Sequence, residues 1–335
     1  MRIVISPAVD ADRLSALRQA APDVEFINAE TLDQAAAAIA EAEGFLGKIT
    51  PDLLAQARRL RWVQAFTASL EHYVFPDLVA HSCQLCNTRG LFGDVIADQV
   101  MGYVLCFARN LHTYIRRQIE HRYEPVGSES GRVSNASGPG QINAIDRGTL
   151  HLPDCRMGIV GFGAIGQEIA NRALSFGMTV RGVDPHSDQK TKPEGVDAIW
   201  GMDRLHELLE WSDFVVIAAP HTPETERLFK SDLIARMKPT AYLINIGRGA
   251  IVVLDDLVAA LRHGQLAGAA LDVFEIEPLP SDHPLWDFPN VILTPHTAGY
   301  STKVAGRHLA TLTENTRRFA AGEPLLNVVN KALWY

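Results

Sequence analysis

Met157-Gly-Ile-Val-Gly161-Phe-Gly163-Ala164-Ile165-Gly166 sets a short apolar run against three glycines spaced G-x-G-x-x-G, and a helical pattern follows from Ala164 to Phe176. Gly161 permits a tight turn, Gly163 lets a pyrophosphate approach the backbone, and Gly166 lets the helix lie close on the strand. The amides that open such a helix, with its dipole, favour phosphate. The next apolar run, Val180-Arg-Gly-Val-Asp184-Pro185, ends in an acid 18 residues after Gly166. A carboxylate there accepts the hydroxyls of an adenosine ribose and repels a 2′-phosphate, which favours NAD over NADP. A strand-end Asp capping the turn at Pro185 is the plainer reading, and the glycines upstream weigh against it. His186, Lys190 and Lys192 lie just beyond and offset part of the repulsion. The glycines alone would also fit a methyltransferase or a flavin protein.

Working outward, the apolar runs 156–160, 178–183, 213–218, 241–246, 267–272 and 290–293 alternate with helical patterns or turns, which predicts a doubly wound parallel sheet. Upstream, Ile3–Ile5, Val24–Ile27, Gly44–Leu46, Trp62–Ala65 and Gln84–Asn87 alternate with helical segments in the same way, a second α/β block. Thr31-Leu-Asp-Gln34 reads as a capping box, and Thr50-Pro51 as an N-cap with proline at the first helical position. Ala97, Val100, Met101, Val104, Leu105, Ala108 and Leu111 form one apolar stripe, and a second helix is expected from Leu111 to Tyr123. Residues 126–148 are rich in Gly, Ser and Pro and read as an exposed loop, while a last helix is expected over Lys303–Ala320.

Length and composition agree with this. A chain of 335 residues is about two domains. With 47% hydrophobic and 21% charged residues it has ordinary globular composition, not that of a disordered or coiled-coil chain. The net charge of −8 disfavours a nucleic-acid or anionic-membrane partner, and no apolar run reaches bilayer length. Cys83, Cys86, Cys106 and Cys155 are too few for a disulfide framework, Cys83-x-x-Cys86 lacks the second pair of a metal site, and the expected compartment is the cytoplasm.

Three strand ends carry chemistry. Asn245-Ile246-Gly247-Arg248-Gly249 ends one strand, Leu271-Asp272-Val-Phe-Glu-Ile-Glu277-Pro278 the next, and Thr294-Pro-His296-Thr-Ala298-Gly299 a third. Ligands of open α/β sheets bind at the carboxyl ends of the strands. Reducing a 2-oxo acid needs a cation for the carboxylate, a proton donor for the carbonyl oxygen and a carboxylate to orient that donor. Arg248, His296 and Glu277 are the residue types for those roles. Singly, each has a duller reading: Arg248 paired with Asp255 or Asp256, Glu277 a solvated loop acid, His296 a turn residue. Together, on one edge, they predict a site.

These motifs, with Pro220-His-Thr-Pro-Glu-Thr225, resemble the D-isomer-specific 2-hydroxyacid dehydrogenase family. The resemblance spans nearly the whole chain and implies Arg248, Glu277 and His296 as the catalytic set. It implies a Rossmann dinucleotide domain at 109–299 inserted into a flavodoxin-like substrate domain, 1–108 and 300–335. The implied cofactor set is Gly161, Gly163, Ala164, Ile165, Gly166, Asp184, Ala219, Pro220, Thr225, Ile246, Gly247, Arg248, Asp272, His296, Ala298 and Gly299. Substrate-carboxylate contacts are implied for Ala68, Ser69 and Leu70, besides Arg248. Ser69 stands where the family usually has Gly, a strained choice if the loop needs positive φ. A similar comparison places Asp98 where Glu is common, and a homodimer is expected to use the long apolar helix near 97–111. The expected activity is hydride transfer between NAD and a small D-2-hydroxy acid, with no metal. An NAD-sensing, corepressor-like binding protein and a phosphite dehydrogenase are the alternatives; Glu277 speaks against formate chemistry.

Overall fold

Continuous apolar runs become strands covered on both faces. The computed structural model describes residues 1–132 and 140–334, and the chain falls into two compact units. The first comprises Met1–Phe92 and Ser301–Tyr335, the second Gly93–Tyr300. In the first, β1 (Arg2–Ser6), β2 (Glu25–Asn28), β3 (Gly44–Gly47), β4 (Trp62–Gln64) and β5 (Gln84–Cys86) form a parallel sheet of order β2-β1-β3-β4-β5. That is the flavodoxin-like winding. Crossovers are made by α1 (Ala11–Ala20), α2 (Leu32–Ile39), α3 (Pro51–Gln56) and α4 (Pro76–Ala80). Their starts follow the sequence signals. Thr31 accepts the Gln34 amide at 3.2 Å and Thr50 the Leu53 amide at 3.3 Å, with Pro51 opening α3. The Gln34 side chain reaches the Glu30 amide, one residue before the expected capping-box partner.

The second unit begins with α5 (Gly93–Ala108), α6 (Leu111–Ile119) and the single turn α7 (Ala144–Arg147). Then follow β6 (Arg156–Val160), α8 (Ala164–Ser175), β7 (Thr179–Val183), β8 (Ala198–Trp200), α9 (Leu205–Trp211) and β9 (Phe214–Ile217). After these come α10 (Ser231–Ile234), β10 (Tyr242–Asn245), α11 (Leu254–Arg262), β11 (Gly268–Leu271) and β12 (Val291–Leu293). The sheet order is β12-β11-β10-β9-β6-β7-β8, every pair parallel. All six expected strands are present. The seventh, β8, is a half-buried edge strand of three residues, too short to show a period.

Several boundaries differ from the sequence reading. The first unit ends at Phe92 rather than 108, because α5 packs along α8. Asn110, at φ 55°, turns the chain between α5 and α6, and α6 stops at Ile119, short of Tyr123. The α5 stripe expected to face a second copy is largely consumed within the unit. Ala97, Val100, Met101, Val104 and Ala108 are buried among Met157, Ile159, Phe162 and Ile169. Within residues 126–148, Asn143 caps α7 through the Ile145 and Asp146 amides; the part of that expected loop at 133–139 lies outside the described residues. Cys83, Cys86 and Cys155 are buried free thiols, and burial pushes Cys86 up to about 12. Among the described residues no cluster of His, Cys, Asp or Glu could hold a metal ion, and no helix is long and apolar enough to cross a membrane.

The chain ends in the first unit with α12 (Val304–Ala321). A buried amide pair fastens it. The Asn315 Nδ2 donates to Gln64 Oε1 at 2.7 Å and to the Leu326 carbonyl at 3.0 Å, and Asn315 Oδ1 accepts the Leu326 amide at 2.7 Å. Fully satisfied polar networks of this kind select one arrangement of a core.

Phe107, on α5, is 1% exposed and stacks on Tyr242 of β10 with ring centroids 4.3 Å apart. Phe107→Ala is expected to destabilise the second unit by about 3–5 kcal/mol. Urea denaturation should show this as a lower midpoint at unchanged slope. A midpoint within error of the parent would contradict the packing of α5 described above.

Candidate active site

The parallel register brings the predicted residues to one edge. Val160, Ile217, Asn245, Leu271 and Leu293 stand level across β6, β9, β10, β11 and β12. The winding reverses between β6 and β9, the switch point where open α/β sheets bind ligands. The segments carrying the glycines, Pro220, Arg248, Glu277 and His296 all leave this edge.

The glycine turn fits a dinucleotide phosphate. Gly161 has φ +91°, and a Cβ there would come within 2.7 Å of the Ala219 backbone; one on Gly166 would meet the Gly161 carbonyl. Both are therefore required by packing. A Cβ on Gly163 would meet nothing within 4 Å, and Gly163 caps α8 without a side chain. Protein packing does not explain the middle glycine, whereas backbone approach by a ligand does. The first amides of α8 also have no intrahelical acceptor. Across the switch point, the Thr225 hydroxyl donates to the Pro220 carbonyl at 2.7 Å and accepts the Thr222 amide at 2.8 Å. It thereby braces the Pro220–Thr225 turn.

Asp184 follows β7 and is buried. Its Oδ2 accepts the Phe162 amide at 2.9 Å and its Oδ1 the His186 amide at 3.0 Å. The plainer turn-capping role is thus real, and it also ties this carboxylate to the glycine turn. Lys190 Nζ sits 3.1 Å from Oδ2.

His296 and Glu277 meet. The His296 Nδ1 lies 2.7 Å from Glu277 Oε2, and Glu277 Oε1 accepts the Phe274 amide at 2.9 Å. One carboxylate oxygen is therefore locked on backbone while the other orients the imidazole. His296 remains half exposed. Arg248 lies just beyond β10, where the buried Asn245 holds its turn: Asn245 Oδ1 accepts the Gly247 amide and Nδ2 donates to the Arg248 carbonyl, each at 3.0 Å. A Cβ on Gly249 would run into the Phe274 backbone, so that glycine lets the Arg248 turn lie against the Glu277 segment. The Arg248 guanidinium donates to the Gly247 carbonyl at 2.7 Å.

Sequence reasoning put Asp272 among cofactor contacts and missed its structural role. It is 2% exposed. Its Oδ1 accepts the Thr294 hydroxyl at 2.5 Å and the Thr297 amide at 2.9 Å, and its Oδ2 accepts the Ala298 amide at 2.9 Å. The Asp272 carbonyl takes the His296 amide at 2.9 Å. Tyr103 of α5, its phenol pushed up by burial, hydrogen-bonds Thr294. These bonds hold His296 at φ 52°, a left-handed conformation rare for a side chain with a Cβ. The available signal was polar residues at strand ends that otherwise bury apolar ones. Asp98 pairs with Arg172 of α8 at 2.6 Å, a link between helices.

In the first unit, the loop after β4 has its carbonyls engaged. His308 Nε2 lies 3.0 Å from the Phe66 carbonyl, Asn87 Nδ2 donates to Ala68 at 2.7 Å, and the Thr67 hydroxyl donates to Ser69 at 2.6 Å. No acceptor among the described residues takes the amides of Ala68, Ser69 or Leu70. Ser69 is not at positive φ, so the strain foreseen for a non-glycine residue is absent.

Comparison with known proteins bears on this geometry. A family model described as D-isomer specific 2-hydroxyacid dehydrogenase, NAD binding domain, matches residues 101–298. A glyoxylate/hydroxypyruvate reductase B of Klebsiella pneumoniae subsp. pneumoniae is 32% identical over 316 residues, covering 92% of this chain and 90% of the relative. A D-isomer specific 2-hydroxyacid dehydrogenase from Xanthobacter autotrophicus Py2, solved with NADPH and MES, superposes with TM-score 0.76 at 30% identity. That alignment covers 100% of this chain and 99% of the other. An NADPH-dependent glyoxylate/hydroxypyruvate reductase from Sinorhizobium meliloti, solved with NADP and sulfate, gives TM-score 0.77 at 26% identity over 100% and 99%.

Asp272→Asn turns one acceptor oxygen into a donor facing a backbone amide or hydroxyl. Its expected cost is about 1–3 kcal/mol of stability, the penalty of a buried polar group left unpaired. Denaturant titration reads that loss, and an unchanged stability would contradict the clamp assigned to Asp272.

Proposed function

The chain belongs to the D-isomer specific 2-hydroxyacid dehydrogenase family, and we propose that it interconverts a small 2-oxo acid and its D-2-hydroxy acid with a nicotinamide dinucleotide. The observation that carries this reading is the 2.7 Å contact between His296 Nδ1 and Glu277 Oε2. With its Nδ1 hydrogen given to the carboxylate, the imidazole keeps Nε2 for the reacting oxygen. In reduction His296 donates a proton there as the carbonyl becomes a hydroxyl; in oxidation it takes the proton back. Glu277 holds the ring's orientation and stabilises it while it carries the extra proton. Arg248 presents a planar cation to the substrate carboxylate. A bound nicotinamide would supply or accept the hydride.

The Gly161–Gly166 turn and the amides opening α8 are assigned to the pyrophosphate, with Pro220–Thr225, Ile246, Ala298 and Gly299 beside it. Asp184 supports NAD(H) as the preferred coenzyme, since its carboxylate accepts ribose hydroxyls; relatives solved with NADPH or NADP make the phosphorylated coenzyme the comparison to run. Glyoxylate and hydroxypyruvate head the substrate panel because a full-length relative carries those names. A homodimer and the cytoplasm belong to the same proposal. With the α5 stripe largely buried, Leu111, Ile115 and Ile119 on α6 are the exposed apolar residues offered to a second copy.

NADH oxidation against a panel of 2-oxo acids, repeated with NADPH, tests the reading. His296→Ala is expected to lower kcat by about 10²–10⁴-fold, the usual worth of general acid–base catalysis. Coenzyme fluorescence should show that the variant still binds dinucleotide. Undiminished turnover by that variant would refute the role given to His296.

A further inference from the structure

A carboxylate that discriminates against a 2′-phosphate does so by its uncompensated charge. Asp184 is not in that condition. After β7 the chain makes a short turn in which the Ser187 amide bonds the Asp184 carbonyl and the Lys190 amide bonds the Ser187 carbonyl, at 3.2 and 3.3 Å. The turn folds Lys190 back over the strand end. Its ammonium then lies 3.1 Å from Asp184 Oδ2, with side-chain exposures of 22% for Lys190 and 9% for Asp184. The nearby cation is differently engaged: Lys192 donates to the Val196 carbonyl at 2.5 Å. His186 contributes its backbone amide to Asp184 Oδ1, and Asp188 is exposed.

We infer that Lys190 is a specificity-determining residue that neutralises Asp184 and moves its ammonium to a 2′-phosphate, so that the chain accepts NADPH as well as NADH. The inference rests on the dinucleotide reading above. A lysine suits this exchange because its charge rides on a flexible four-carbon stem with rotatable donors. When Lys190 leaves, Asp184 keeps the Phe162 and His186 amides, which hold its charge in place. A 2′-phosphate carries nearly two negative charges at neutral pH, so the ammonium gains a stronger partner than the one it gives up. With NADH there is no such partner. Lys190 then stays on Oδ2, and the ribose hydroxyls use the acceptor directions that Asp184 retains.

Equilibrium binding tests this independently of turnover. NADH and NADPH are titrated into the full chain by coenzyme fluorescence, for the parent, Lys190→Gln and Lys190→Arg, with circular dichroism confirming the fold of each. The parent is expected to bind both, with the NADPH Kd rising more steeply with salt. In Lys190→Gln the NADPH Kd should rise by about 10- to 100-fold, the worth of a charge-assisted hydrogen bond, while the NADH Kd holds or falls. Lys190→Arg should retain NADPH. If Lys190→Gln shifts both coenzymes equally, or neither, the role of Lys190 is overturned and the dinucleotide reading stands. The same holds if the folded parent binds NADH alone. If the folded parent binds neither coenzyme, both the inference and the reading beneath it fail.

Discussion

Parallel pairing of β6, β9, β10, β11 and β12 is the constraint from which the candidate site follows. Antiparallel neighbours would send successive loops to opposite edges of the sheet. Here every crossover returns the chain, so each strand delivers its following loop to the same edge. Neighbouring strands lie about 5 Å apart, which sets the spacing of what those loops carry. Three consecutive positions in the sheet, β10, β11 and β12, supply a guanidinium, a carboxylate and an imidazole. The glycine turn stands two strands away, past β9. Groups separated by tens of residues become neighbours through backbone hydrogen bonding.

On that edge, small residues and buried polar groups do the positioning. Asn245 and Asp272 are each almost wholly buried, and each spends its side chain on the turn that leaves its own or the neighbouring strand. Burial makes such bonds costly to leave unmade, so the turns hold one conformation. His296 is held at a positive φ by this means, with the Asp272 carboxylate bonded to the amides just past the histidine. Gly249 has a different task, removing a Cβ so that two turns can lie against each other. The site is thus supported on backbone and on buried side chains that never need to touch a substrate.

Much of this was legible from the chain. The winding of both sheets followed from apolar runs alternating with helical patterns, because strands covered on both faces show continuous apolar sequence. Capping threonines announced α2 and α3 by local chemistry alone. The pairing of His296 with Glu277 was foreseen from the chemistry a 2-oxo acid demands. What escaped had weak local signals. β8 is three residues long, and the α5 stripe reads the same whether it faces its own sheet or a second copy. The turn-bracing roles of Asp272 and Thr225, which the resemblance placed among cofactor contacts, gave no separate signal, because a polar residue at a strand end looks alike whether it binds a ligand or braces a turn.

By itself, the sequence determined which residues form strands and helices, where the glycine turn lies, and which three side chains could move a proton and hold a carboxylate. Each of these is set by neighbours in the chain or by the chemistry of a single residue. Only the tertiary structure decided that α5 belongs with the second sheet, that Asp272 clamps the histidine turn, and that Lys190 folds back over Asp184. Those outcomes depend on which surfaces bury one another and on where a side chain finds its partner, and neither is written in the local spacing of the chain.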